Sequence, residues 1–168
     1  TLMIRWRVDG AYDHAAMKVM AKALGSAYDV SAAAHLPAAV AGRSVVDYVS
    51  ASGGGITALR LEGTAASVEH RMWALRAELQ SFGEAEELHS RNSRMFWREI
   101  RDVRPFVGQE KVPNVWRLSV PPSAGSKTAF AILEECRGEV FYDWGGGLIW
   151  LALAPLTDAG AATVRKFV

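Results

Sequence analysis

The chain has 168 residues, half of them apolar and 22% charged, with 19 basic side chains against 18 acidic ones. That describes one compact domain with a sizeable core, and the balanced charge gives no electrostatic footprint for nucleic acid or an anionic lipid surface. No apolar run reaches the roughly 18 residues of a membrane span, and no charged-then-apolar leader opens the chain. The single cysteine, Cys136, excludes an internal disulfide and a multi-thiolate metal site, and points to a reducing compartment. The chain starts at Thr1 and stops at Arg165-Lys166-Phe167-Val168, inside what reads as a helix, so it is expected to be a piece of a longer one.

Leu2 to Val8 alternates apolar and basic residues and reads as a half-buried strand. Asp13 stands at a helix N-cap, with Met17, Met20 and Leu24 on one face and Gly25 as the stop. Tyr28 to Leu36 is a second strand. Residues 37–55 hold a short helix around Val45 to Val49 and end in the turn Gly53-Gly54-Gly55, after which Ile56 to Glu62 alternates as a third strand. Thr64 to Phe82 is the strongest element: Val68, Met72, Leu75, Leu79 and Phe82 recur at helical spacing. An acidic stretch (Glu84, Glu86, Glu87) leads to a helix over residues 92–103 with Phe96, Ile100 and Val103 on one side, ended by Pro105. Phe106 to Asn114 reads as loop and Val115 to Val120 as a strand. Ser126 to Arg137 is a helix with Ile132, Leu133 and Cys136 inward. Glu139 to Asp143 and Leu148 to Leu153 are strands joined through Gly145-Gly146-Gly147, and Thr157 or Asp158 opens a last helix. Two strand–helix–strand halves imply an α+β fold, a ferredoxin-like sandwich with a mostly antiparallel sheet and helices on one face. No long-period repeat of the solenoid kind is visible.

The sequence lacks the common catalytic signatures. Its four histidines (His14, His35, His70, His89) show no metal-ligand spacing, and no phosphate loop, dinucleotide fingerprint or nucleophile elbow occurs. Neither glycine triplet leads into a helix, as a dinucleotide turn requires. Cys136 on an apolar helix face reads as a small hydrophobe. His35, near a strand end, reads as a satisfied histidine rather than a general base, and no catalytic residue is assigned.

Three features carry a candidate site. Arg60 and Arg117 fall opposite the apolar positions of their strands, so both should project from the open face of the sheet, where an arginine can pair bidentately with a carboxylate. An ion-paired strand residue is the commoner fate for each. The third is Phe141-Tyr142-Asp143-Trp144-Gly145-Gly146-Gly147-Leu148-Ile149-Trp150, a bulky aromatic hairpin in which Asp143 can accept from backbone N–H groups of the turn.

The strand Val115-Trp116-Arg117-Leu118-Ser119-Val120-Pro121 together with this hairpin resembles the FAD-binding E subunits of bacterial glycolate oxidases. These belong to the FAD-linked oxidases of the vanillyl-alcohol-oxidase type. Ala58-Leu59-Arg60-Leu61-Glu62-Gly63 resembles the same family's strand before its long helix, and the likeness runs over roughly residues 26–153. The resemblance implies that residues 1–168 form a C-terminal cap or substrate domain, and that FAD is held by an N-terminal domain outside this sequence. It implies a small 2-hydroxy acid such as glycolate as substrate, with Arg117 and Arg60 as candidates for its carboxylate or for a flavin edge. Trp144, Tyr142 and Trp150 would then stand at the flavin side of the pocket. The implied partners are a sister flavin subunit and an iron–sulfur subunit, and the implied place is cytoplasmic or peripheral to the inner membrane through them. The isolated domain is expected to be inactive. A non-catalytic docking module of the same complex is the competing expectation, with Trp144 and Trp150 at an interface; a free-standing ligand sensor is a third.

Overall fold

A computed structural model of the chain describes residues 1–6, 13–107 and 114–168. In chain order the elements are β1 (Leu2–Trp6), α1 (Asp13–Leu24), β2 (Val30–Leu36), α2 (Ala38–Ala41), α3 (Asp47–Ser50), β3 (Gly55–Leu61), α4 (Ala65–Leu79), β4 (Ala85–Glu87), α5 (Ser90–Arg101), β5 (Asn114–Ser119), α6 (Gly125–Glu135), β6 (Gly138–Asp143), β7 (Leu148–Leu153) and α7 (Ala161–Phe167). The seven strands form one sheet in the order β4-β1-β3-β2-β6-β7-β5, and every neighbouring pair is antiparallel. The fold is α+β.

The order has an internal logic. Residues 2–87 run β1-α1-β2-β3-α4-β4 and lie in the sheet as 4-1-3-2, the ferredoxin-like arrangement. Residues 114–167 run β5-α6-β6-β7-α7 and continue the sheet from the β2 edge in mirrored order. In the sheet the halves are joined at a seam where His35 of β2 pairs with Tyr142 of β6, and one continuous apolar core runs beneath both. Registers on either side of that pair match. His35 faces Thr57, which faces Ile4; Tyr142 faces Ile149, which faces Leu118. Carried along β3 and β7, this equivalence superposes Gly53-Gly54-Gly55 on Gly145-Gly146-Gly147 and the buried Leu59 and Leu61 on the buried Leu151 and Leu153. Gly53 and Gly145 both have positive φ, 71° and 66°, so each half enters its third strand through a turn that favours glycine. The chain is a duplicated βαββα unit built about a pseudo-twofold at the seam.

Alternation along the strands splits the core in two. One face carries Leu2, Ile4, Leu59, Tyr142, Ile149 and Leu151, and packs under α1, α4, α6 and α7. The other carries Met3, Ala34, Ile56, Ala58 and Phe141, and packs under α2, α3 and α5. The expected single helical layer is therefore the layer of α1, α4, α6 and α7, and a second, partial layer covers the opposite face. Its source is the residue 37–55 connection and the apolar stripe of α5 (Phe96, Trp97, Ile100), which burial against β1 and β3 satisfies.

Several local expectations hold with shifted ends. The long helix spans Ala65–Leu79 and tightens into a 3₁₀ turn through Phe82. The first strand is described as far as Trp6; its expected end at Arg7 and Val8, and most of the expected loop 106–114, lie outside the described residues. The last helix starts at Ala161, but Asp158 does cap it, accepting from the Gly160 and Ala162 N–H groups at 2.9 Å. The acidic stretch 84–87 contains a strand rather than only a linker. Ala85–Glu87 pairs with β1, and Glu86 meets Arg5 at 3.1 Å.

Candidate functional site

Arg60 lies on β3 two positions from Ala58, so its side chain rises on the face that α5 only partly covers. There it lines a cleft of about 650 Å3 with Arg94, Arg98 and Arg101 of α5 and with Asp143 and Trp144 of the β6–β7 connection. Spacings of four and three residues place the three α5 arginines on one helical face. Arg60 is paired with Glu62 at 2.9 Å and Arg101 with Asp102 at 2.7 Å, whereas Arg94 and Arg98 have no acidic partner within 4.0 Å among the described residues. Burial raises the Asp143 carboxyl above its ordinary value, and the Trp144 N–H, donating to its Oδ1 at 2.8 Å, opposes that rise. Arg94 and Arg98 beside the paired Arg60 and Arg101 give the cleft a basic wall, although Asp143 shares its lining and Asp102 feels the Arg98 charge; the forked donors of a guanidinium suit a planar carboxylate.

Trp144 forms the rim. Its backbone sits in the left-handed region at φ 51°, uncommon for an aromatic residue, and the residue is 61% exposed. The Arg117 guanidinium stands over that ring, 5.3 Å from its centroid. Arg117 lies directly opposite Trp150 in the β5–β7 register and so shares the face of Arg60, but it reaches the cleft only through Trp144. Trp150 is half-buried on the same face, stacked on Phe141 with centroids 6.3 Å apart. Tyr142 points the other way. Strand alternation sends it to the opposite face, where it is 1% exposed, so the three aromatic residues do not share one wall. Sequence reasoning assigned no role to Arg94, Arg98 and Arg101; their i, i+4, i+7 recurrence was the available signal.

A second polar constellation lies beneath α1 and α6. The Asp13 carboxylate accepts from Tyr142 Oη at 3.0 Å and meets His35 Nε2 at 3.3 Å; His35 Nδ1 meets Thr57 Oγ1 at 2.9 Å, which accepts from Trp6 Nε1 at 2.8 Å. A carboxylate only accepts, so His35 donates to Asp13 through Nε2–H, and in that tautomer Nδ1 accepts a hydrogen bond from the Thr57 hydroxyl. Trp6 Nε1, Thr57 Oγ1, both ring nitrogens of His35 and Tyr142 Oη are then all partnered within this network. His35 is 1% exposed, a satisfied core histidine, while Asp13 and Tyr142 reach a cavity of about 680 Å3 walled by Val40, Phe130, Leu133 and Val140. Burial and the neighbouring Asp13 charge push the Tyr142 hydroxyl well above its ordinary value, so it acts here as a donor. Since His35 and Tyr142 are the one backbone pair of the seam, Asp13 clasps the two halves together.

No family model matches this chain, and no relative emerges among curated proteins. Cys136 is buried in the core under α6, and no three His, Cys, Asp or Glu side chains among the described residues are grouped to hold a metal ion. No helix among those residues is long and apolar enough to cross a membrane.

Proposed function

We propose that the chain is the substrate-covering domain of a flavin-dependent oxidoreductase acting on glycolate or a similar small 2-hydroxy acid. The observation that carries this reading is the cleft in which Arg60 is joined by Arg94 and Arg98 beside the exposed Trp144. The substrate carboxylate would take the forked donors of Arg94 and Arg98, which have no acidic partner there, with Arg60 held in place by Glu62. Trp144 would close over the apolar side of the acid, steadied by Arg117. The residues do not fit the flavin itself. Both glycine triplets open strands, β3 and β7, rather than a helix N-terminus, so the described residues offer no cradle for its diphosphate. FAD, the iron–sulfur partner and a sister flavin subunit belong to the assembly that this reading implies.

The test is binding. Titration of the labelled protein with glycolate should move the side-chain Nε–H signals of Arg94 and Arg98 with a dissociation constant on the order of millimolar, as an open cleft allows, while the uncharged methyl ester leaves them in place. Arg98→Gln should weaken binding about tenfold, the loss of one charge-assisted contact. Glycolate signals that shift residues elsewhere, or equally strong binding of the ester, would remove the reading.

A further inference from the structure

The pseudo-twofold leaves one position of the duplicated sheet unfilled. In the first half the outer edge of β1 is covered by β4, with Leu2 opposite Glu87, Met3 opposite Glu86 and Ile4 opposite Ala85. The equivalent strand in the second half is β5, since Leu2 and Trp116 face the equivalent residues Leu59 and Leu151. Among the described residues β5 pairs only with β7 and ends the sheet. Its outer row of N–H and C=O groups is a template for another strand. We propose that the free edge of β5 is a docking site for an extended segment of a partner protein, added antiparallel along Trp116, Arg117 and Leu118.

The register fixes the chemistry of the segment. At β4, Ala85 turns toward the helical layer, and Glu86 turns to the other face, where it reaches Arg5. At β5 the residue opposite Leu118 would meet the same helical layer and should be small and apolar. The residue opposite Arg117 would meet an exposed guanidinium and should be acidic. A second copy of this chain is a poor occupant. Antiparallel pairing of two β5 strands over this stretch sets Arg117 against Arg117, and like charges directly opposite destabilise a sheet. The docking mode is strand addition, in which main-chain bonds supply affinity and alternate side chains supply selectivity.

The structure also supplies a probe: a capped peptide of residues 83–88, Gly-Glu-Ala-Glu-Glu-Leu, carries the apolar–acidic pattern of β4. Added to the isotope-labelled protein, it should give saturable amide shifts and slowed hydrogen exchange confined to β5 and the facing end of β7. The same peptide with Glu86→Lys should bind about fivefold more weakly, as for exchanging an attractive exposed ion pair for a repulsive one. Arg117→Glu in the protein should reverse that preference, which a merely misfolded variant would not do. Shifts away from β5, or a preference that Arg117→Glu leaves unchanged, would overturn the proposal. So would sedimentation showing self-association with β5 protected in the absence of peptide, which would make the occupant a second copy.

Discussion

Replacing Asp13 by alanine tests whether the seam is held as described. The change takes the acceptor from two donors at once, His35 Nε2 at 3.3 Å and Tyr142 Oη at 3.0 Å, both on residues 1% exposed. The two losses are unequal. Tyr142 lines the 680 Å3 cavity, so water can replace the carboxylate at its hydroxyl. His35 does not line it and is 1% exposed, so its N–H is the harder of the two for water to satisfy, at a cost of about 1–3 kcal/mol for a buried donor left without a good acceptor. With a further ~0.5 kcal/mol for the weakened Tyr142 contact, Asp13→Ala should destabilise the fold by about 1.5–3.5 kcal/mol. Tyr142→Phe removes only the hydroxyl, leaves the Asp13–His35 pair, and should cost about 1 kcal/mol. Asp13→Asn keeps one acceptor and lets Tyr142 turn to accept, so it should fall below Asp13→Ala. Urea unfolding of the single variants and of the Asp13→Ala/Tyr142→Phe double variant reads this directly, because groups in one network do not add. An Asp13→Ala loss below ~0.5 kcal/mol, or simple additivity in the cycle, would refute the clasp.

Other residues give independent checks. Glu99 is buried, accepting from Ser44 Oγ at 2.5 Å and the Val45 N–H at 2.9 Å, and burial raises its carboxyl above the ordinary value. The folded state therefore holds this proton more tightly than the unfolded one. The associated stability is present below the ordinary glutamate value and is lost as pH rises through the raised one. Glu99→Gln, which can still bridge Ser44 and Val45, should flatten that part of the stability–pH curve; an unchanged slope would contradict the account. A Cβ on Gly125 would strike the backbone carbonyl of Gly146, whereas one on Gly145 meets the terminal methyl of the exposed Leu24. Gly125→Ala should therefore lower the melting temperature more than Gly145→Ala, even though Gly145 alone has positive φ, 66°. The reverse order would show that backbone conformation outweighs the clash.

Much of the fold is written in periodicity. Leu148–Leu153 was bounded by its apolar run and the glycine turn, and the stripe Met72, Leu75, Leu79 marked α4, because both elements bury one continuous surface. β4 was not visible. Three residues, Ala-Glu-Glu, carry no apolar alternation, and the strand exists because β1 offers an edge and Arg5 offers a charge. The duplication was equally hidden. The offset between equivalent residues changes from 114 between β1 and β5 to 92 between β3 and β7, so no single period exists; the two Gly-Gly-Gly turns with their Leu-x-Leu sequels were its trace. At the site, Arg60 and Arg117 were rightly placed on one face, which alternation decides. That Arg94 and Arg98 would face Arg60 depends on where α5 lands on the sheet, a tertiary fact. Asp13 read as a helix cap, yet its carboxylate oxygens serve β2 and β6 instead.

The account holds that these residues receive a small carboxylate and do not themselves hold the flavin. Titrating the purified chain with FAD, following visible absorbance and flavin fluorescence, and then adding glycolate tests this most directly. The account predicts no change in the flavin spectrum, with glycolate still perturbing Arg94 and Arg98. Saturable FAD binding, seen as a shifted flavin band, would contradict it and put the flavin site within these 168 residues.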